Sequence, residues 1–288
     1  MKKIFLTLLF VICTFSPLYA SQSTILDVDG NACMGDDKSR KQTEQAAMAD
    51  AKRNAAERAL TYLKSETQVK DFTVEKDLVN AYAQATVKII QELEKAWVKD
   101  ANSGDCYRIK IKAEIIPDEK ALEKAFKVKD FADNPAAPLK VQLWTDKQKY
   151  KRGEHVKIYL KGNKPFHARI LYNDASGQII QILPNPYRKD NYFQGGVVYE
   201  LPEGNKDRYH LEVSPPFGSE KVILHASTSQ LGDLELESVG EVYGVKTRHQ
   251  DIGIKSRGLK IIGGGRSNGT KYQGAEFVES KAEVQTIR

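Results

Sequence analysis

From Leu139 onward the chain keeps one rhythm: short apolar runs, each closed by glycine, proline or asparagine. The runs are LKVQLWT, HVKIYLKG, FHARILYND, GQIIQILPN, VVYELPEG, YHLEVSPP and EKVILHAST. Strands at roughly ten-residue spacing with such punctuation predict an all-β sandwich, since each strand is too short to bury its face except against a second sheet. The stretch DASGQIIQILPNPY shows how one run is bounded. Asp174 is placed to bond the backbone of its own turn, with Gly177 free to take positive φ. QIIQIL then reads as a strand buried on both faces or nearly so. Pro184 ends it, having no N–H for the ladder, and Asn185-Pro186 turns the chain away.

Upstream the pattern changes, and the proline- and alanine-rich KDFADNPAAP, residues 129–138, reads as a linker. Before it, DDKSRKQTEQAAMADAKRNAAERALTYL predicts a helix capped by Asp36 or Asp37. Its Ala47, Ala51, Ala55, Ala59 and Leu63 recur every four residues and make a narrow stripe for close packing on a sheet. A second helix is expected from Val74 to about Tyr82. ATVKIIQELEKAWV fits either a helix face or an alternating strand. After an NSGD turn, CYRIKIKAEII alternates cleanly and predicts a half-buried antiparallel strand, followed by the short helix PDEKALEKAF. The expected organisation is an α+β domain over 21–128, the linker, and an immunoglobulin-like β-sandwich over 139–288. The last part carries the glycine-rich basic loop Gly263–Gly274 and a terminal strand in AEFVESKAEVQTI.

Residues 1–20, MKKIFLTLLFVICTFSPLYA, have the layout of a secretory signal peptide, with cleavage expected near Ala20. No later segment is apolar for about 18 residues, so no transmembrane segment is expected. Periplasmic or secreted placement follows, and in an oxidising compartment Cys33 and Cys106 are most simply one disulfide. The rival reading, a catalytic Cys106, needs a nearby histidine, yet His155, His167, His210, His225 and His249 all lie in the other half of the chain.

The formal charge of +6 is uneven, with nine Lys/Arg against four Asp/Glu from Lys246 onward. That region reads either as solvated loops or as a contact for an anionic cell-wall polymer. No aromatic ladder runs through it, so nucleic acid is not an expected partner. DVDGNACMGDDK lacks the glycine and glutamate positions of a calcium loop, and GGGRSNGTK lacks the Gly-Lys-Ser/Thr ending of a phosphate loop. The histidines are not paired at zinc-ligand spacing, and no Gly-x-Ser-x-Gly elbow is present. No catalytic, cofactor-binding or metal residue is therefore assigned.

KYKRGEHVKIYLKGNKPFHARILYNDASGQIIQILPNPY, NYFQGGVVYELPEG and YHLEVSPPFGSEKVILHAST together resemble the family called domain of unknown function 4384, from Leu139 to about Val245. The resemblance implies an extracytoplasmic immunoglobulin-like sandwich and no catalytic residues. His167 departs from it, standing where the family usually has tyrosine or glycine. AAMADAKRNAAERAL and CYRIKIKAEIIPDEKAL resemble, more loosely, the N-terminal domains of flagellar-assembly protein T and lipoprotein-20-type envelope proteins, and favour the strand reading of ATVKIIQELEKAWV. The expected function is a non-enzymatic envelope module that binds or assembles with a protein partner. The alternative is a cell-wall or polysaccharide binder using the basic distal region. A third reading, an envelope hydrolase, needs a polar pocket that the sequence does not assemble.

Overall fold

The computed structural model describes residues 21–67, 72–125, 133–204, 207–240, 242–258 and 274–288. The expected signal peptide, residues 129–132 of the expected linker and the glycine-rich loop up to Gln273 lie outside them. The chain is mostly β, with one large curled sheet and few helices.

Its N-terminal strands are β1 (Ser21–Cys33), β2 (Thr86–Asp100) and β3 (Gly104–Ile116), paired antiparallel in the order β1-β3-β2. ATVKIIQELEKAWV is thus a strand. It pairs across the expected turn, with register shifts at Ile89/Gln91 and Glu92/Glu94. Helix α1 (Arg40–Thr67) lies on this sheet, and Ala47, Ala51, Ala55, Ala59 and Leu63 are all fully buried. The approach is close because β1 offers Gly30, where a Cβ would stand 2.3 Å from the Ala47 carbonyl oxygen.

The helix cap is Ser39 rather than Asp36 or Asp37. Ser39 Oγ accepts from the Gln42 N–H at 3.3 Å, and Gln42 Oε1 accepts from the Ser39 N–H at 2.8 Å. That reciprocal pair satisfies two free N–H groups at once, which a lone carboxylate further out does not. Helices α2 (Phe72–Ala83) and α3 (Glu119–Ala125) complete this layer, contributing Leu78, Ala81, Tyr82 and Leu122 to its core.

Downstream come β4 (Val141–Thr145), β5 (Lys149–Lys151), β6 (Ile158–Gly162), β7 (Phe166–Asn173), β8 (Ile179–Leu183), β9 (Tyr192–Phe193), β10 (Val198–Leu201) and β11 (Ser219–Ser227). Then follow β12 (Leu236–Val239), β13 (Val242–Val245), helix α4 (His249–Ser256) and β14 (Gly274–Ile287). A three-stranded sheet, β10-β6-β4, faces the large sheet, whose order is β12-β13-β8-β7-β11-β14-β1-β3-β2. Between them lies a core that includes Phe166, Ile170, Leu224 and Val278. YHLEVSPP forms no strand. It makes a single bridge, His155 to Glu212, because Pro215-Pro216 has no N–H groups with which to extend a ladder.

Strand β14 pairs with β1 through Ser21↔Glu279 to Leu26↔Gly274, and with β11 through Ser219↔Gln285 to Ser227↔Phe277. The same sheet therefore runs from the N-terminal strands into the distal ones. Residues of the expected linker are pinned here. Asn163 Nδ2 donates to the carbonyls of Asn134, Ala137 and Pro138, and Ala137 is fully buried.

One face of the large sheet carries α1 and the three-stranded sheet. Across the other runs the segment holding α4, where Leu234 and Ile252 pack on Leu171 and Ile179. On the polar face of β3, Lys112 and Glu114 are buried rather than solvated. Arg257 Nε donates to Glu114 at 2.6 Å.

Candidate functional site

A cavity of about 160 Å³ opens between the two sheets. Its apolar wall comes from Val156 and Ile158 beside β6, Ile180 and Ile182 of β8, and Leu211 and Val213 of the bridging segment. The strand-and-turn stretch beginning at Asp174 builds one side. Asp174 Oδ1 accepts from the Ser176 and Gln178 N–H groups, and Gly177 takes φ 87, as the turn chemistry predicts. Beyond β8, Asn185 Nδ2 donates to the Ile182 carbonyl while Asn185 Oδ1 accepts from the Tyr187 and Arg188 N–H groups. These bonds hold the strand end that presents Ile180 and Ile182.

The polar lining is acidic. Glu212 is exposed, Asp174 half-buried, and Glu220 only 3 % exposed. Tyr172 donates its hydroxyl proton to Glu220. Burial first, and then that bond, push the phenol well above its ordinary value, so it stays protonated and donating. The lining holds no Lys, Arg, His or Cys.

A second polar cluster lies beneath α4, on the opposite face of the sheet. His225 Nδ1 and Ser256 Oγ are 2.9 Å apart, and His225 Nε2 stands 3.7 Å from Glu279 Oε2. Arg169 Nη1 donates to Ser256 Oγ at 3.2 Å, leaving the Ser256 proton for His225. Burial drives His225 down to about 4. Arg257, Arg169 and Lys281 push the same way, against the opposing pull of Glu279. The residue types match a nucleophile relay, yet Ser256 is 1 % and His225 2 % exposed. A substrate reaches Ser256 only by displacing α4, and no lining residue of the cavity belongs to this cluster. Sequence reading did not bring these residues together, because they lie on separate elements with no local signature.

Cys33 and Cys106 form the expected disulfide at the end of the β1–β3 ladder. Among the described residues, no group of three or more His, Cys, Asp or Glu is gathered to hold a metal, and no helix is long and apolar enough to cross a membrane. Of the basic distal residues, Lys246 pairs with Glu237, Arg248 with Asp251, Lys255 with Glu235, Arg257 with Glu114 and Lys281 with Glu279. Lys260, Arg266 and Lys271 of the same region lie outside the described residues.

The cavity's lining falls wholly between Val156 and Glu220. Residues 149–230 match the family described as a domain of unknown function (DUF4384). The match encloses every residue of the cavity and supports the resemblance read from the distal strands. No curated protein and no solved structure matches the chain. Nothing in these comparisons supports the resemblance of the N-terminal part to flagellar-assembly protein T or lipoprotein-20-type proteins.

Proposed function

We propose that this protein is a non-enzymatic binding module of the cell envelope, and that the cavity in its DUF4384 region receives the apolar part of a ligand or partner. The observation that carries this reading is the chemistry of the cavity. Val156, Ile158, Ile180, Ile182, Leu211, Val213, Pro215 and Pro216 make most of its wall, and the polar groups that join them are Tyr172, Ser214 and three carboxylates with no histidine, lysine or cysteine among them. An apolar cavity of roughly 150 Å³ holds a benzene-sized group, so one side chain or one small aliphatic moiety fits, rather than an extended substrate.

In this reading the paired sheets are an immunoglobulin-like sandwich, and the helices on β1-β3-β2 form an α+β unit presenting it. The signal-peptide pattern and the Cys33–Cys106 disulfide support export to the periplasm or beyond. The test is an NMR titration of the protein with n-pentanol, alongside the cavity-filling variant Val213→Phe. Shift changes should gather at Ile158, Ile180, Ile182 and Val213, and disappear in the folded variant. A titration that moves none of these resonances, or moves them equally in Val213→Phe, rejects the reading.

A further inference from the structure

We infer that the cavity takes a primary alkylammonium group, with its methylene stem along the aliphatic wall and its charge against Glu220. This rests on reading the cavity as a binding site. Five carboxylates are buried among the described residues. Asp77, Glu114, Asp207, Glu220 and Glu276 are all under 9 % exposed. Four of them meet a cation: Asp77 has Lys124, Glu114 has Arg257, Asp207 has Arg188 and Glu276 has Lys164. Among the described residues Glu220 has none; the hydrogen bond to its carboxylate comes from Tyr172.

A carboxylate removed from water is costly unless a cation or several donors meet it, and one hydroxyl is little compensation. Glu220 also lines the cavity between the two sheets. The missing countercharge and the space for it therefore coincide. Asp174 and the exposed Glu212 extend the negative lining outward, and no cation in that lining opposes them. The volume agrees as well, because n-pentylammonium has six heavy atoms, like benzene. A carboxylate ligand meets repulsion here, and a neutral alkyl group fills the wall but leaves Glu220 unanswered.

The experiment titrates the protein with n-pentylammonium, n-pentanol and pentanoate at constant ionic strength. The ammonium should bind at least about tenfold more tightly than the alcohol, and pentanoate more weakly than both. Glu220→Gln keeps the side-chain volume and can still accept from Tyr172. In it, the ammonium should fall to the affinity of the alcohol, while alcohol binding stays unchanged. The wild-type ratio reads the charge preference alone if that variant does not fold. Equal affinity of ammonium and alcohol for the wild type, or a preference that survives in folded Glu220→Gln, overturns the inference and leaves the cavity reading standing. Failure of all three probes overturns both. A comparison of 1,5-diaminopentane with Nα-acetyl-lysine methylamide then identifies the source. Tighter binding of the first assigns a free diamine, and tighter binding of the second a lysine side chain of a protein.

Discussion

Replacing Gly30 by alanine should cost this protein far more than one methyl group suggests. A Cβ at Gly30 would lie 2.3 Å from the Ala47 carbonyl oxygen, 2.6 Å from the Ala51 nitrogen and 2.6 Å from the Ala51 Cβ. Two of those three atoms are helix backbone and cannot rotate away, so α1 must lift from the sheet. Lifting it loosens the whole row of alanines from Ala47 to Ala59, each of which has no exposed surface to lose. Overpacking of this kind costs about 1–3 kcal/mol, and the rigid neighbours place Gly30→Ala at the upper end. A gain of about 0.5–1 kcal/mol is expected in return, because alanine has less backbone freedom to lose in a strand. The net loss is about 2 kcal/mol. At ~2–4 °C per kcal/mol for a chain of this size, Tm should fall by about 4–8 °C. Thermal unfolding followed by circular dichroism reads this directly. Ala51→Gly in the same background removes only the Cβ contact and should not restore the loss. A Gly30→Ala protein as stable as the parent, or a rescue by Ala51→Gly, refutes the close-approach argument.

Cutting the Cys33–Cys106 link should lower stability by about 4 kcal/mol on the chain-entropy model, because it closes a loop with a sequence separation of 73. Urea unfolding of Cys33→Ala/Cys106→Ala against the oxidised protein measures it; a change below about 1 kcal/mol contradicts that account. His225 gives a pH prediction. Its folded value of about 4 lies below the ordinary 6.5, so the unfolded chain binds the extra proton first. The stability held by neutral His225 is present above about 6.5 and is lost as pH falls toward 4, by an amount on the order of 3 kcal/mol. His225→Gln should flatten that part of the pH–stability profile. An unchanged slope places the titration on other groups.

The elements most legible in the sequence were those specified within one segment. The alanine stripe of α1, the clean alternation of β3 and the Asp174–Gly177 turn each carry their cause in neighbouring residues. What sequence reading missed depends on distant partners. Helix α4 has little pattern of its own, with Ile252 buried and Ile254 exposed, and is positioned by Leu171 and Ile179 beneath it. The strand expected at YHLEVSPP was lost to its two prolines. Glu114 looked like part of a solvated face until Arg257, 143 residues away, covered it. The cavity was not visible in the sequence because its wall draws on β6, β7, β8, β11 and the bridging segment. Its acidic character arises only once Asp174, Glu212 and Glu220 converge.

Strand β14 has a consequence for how the molecule comes into being. It sits between β1 and β11, so Ser21 and Glu279 become neighbours although they stand near opposite ends of the described chain. Until residues 274–287 are synthesised, β1 lacks one flank and β11 lacks the same one. Such a high contact order makes completion of the sheet slow and late, since a long loop must close before the pairing repays its cost. The large sheet of this chain is therefore complete only once its last strand has been made, and the two strands that flank it wait for the same partner.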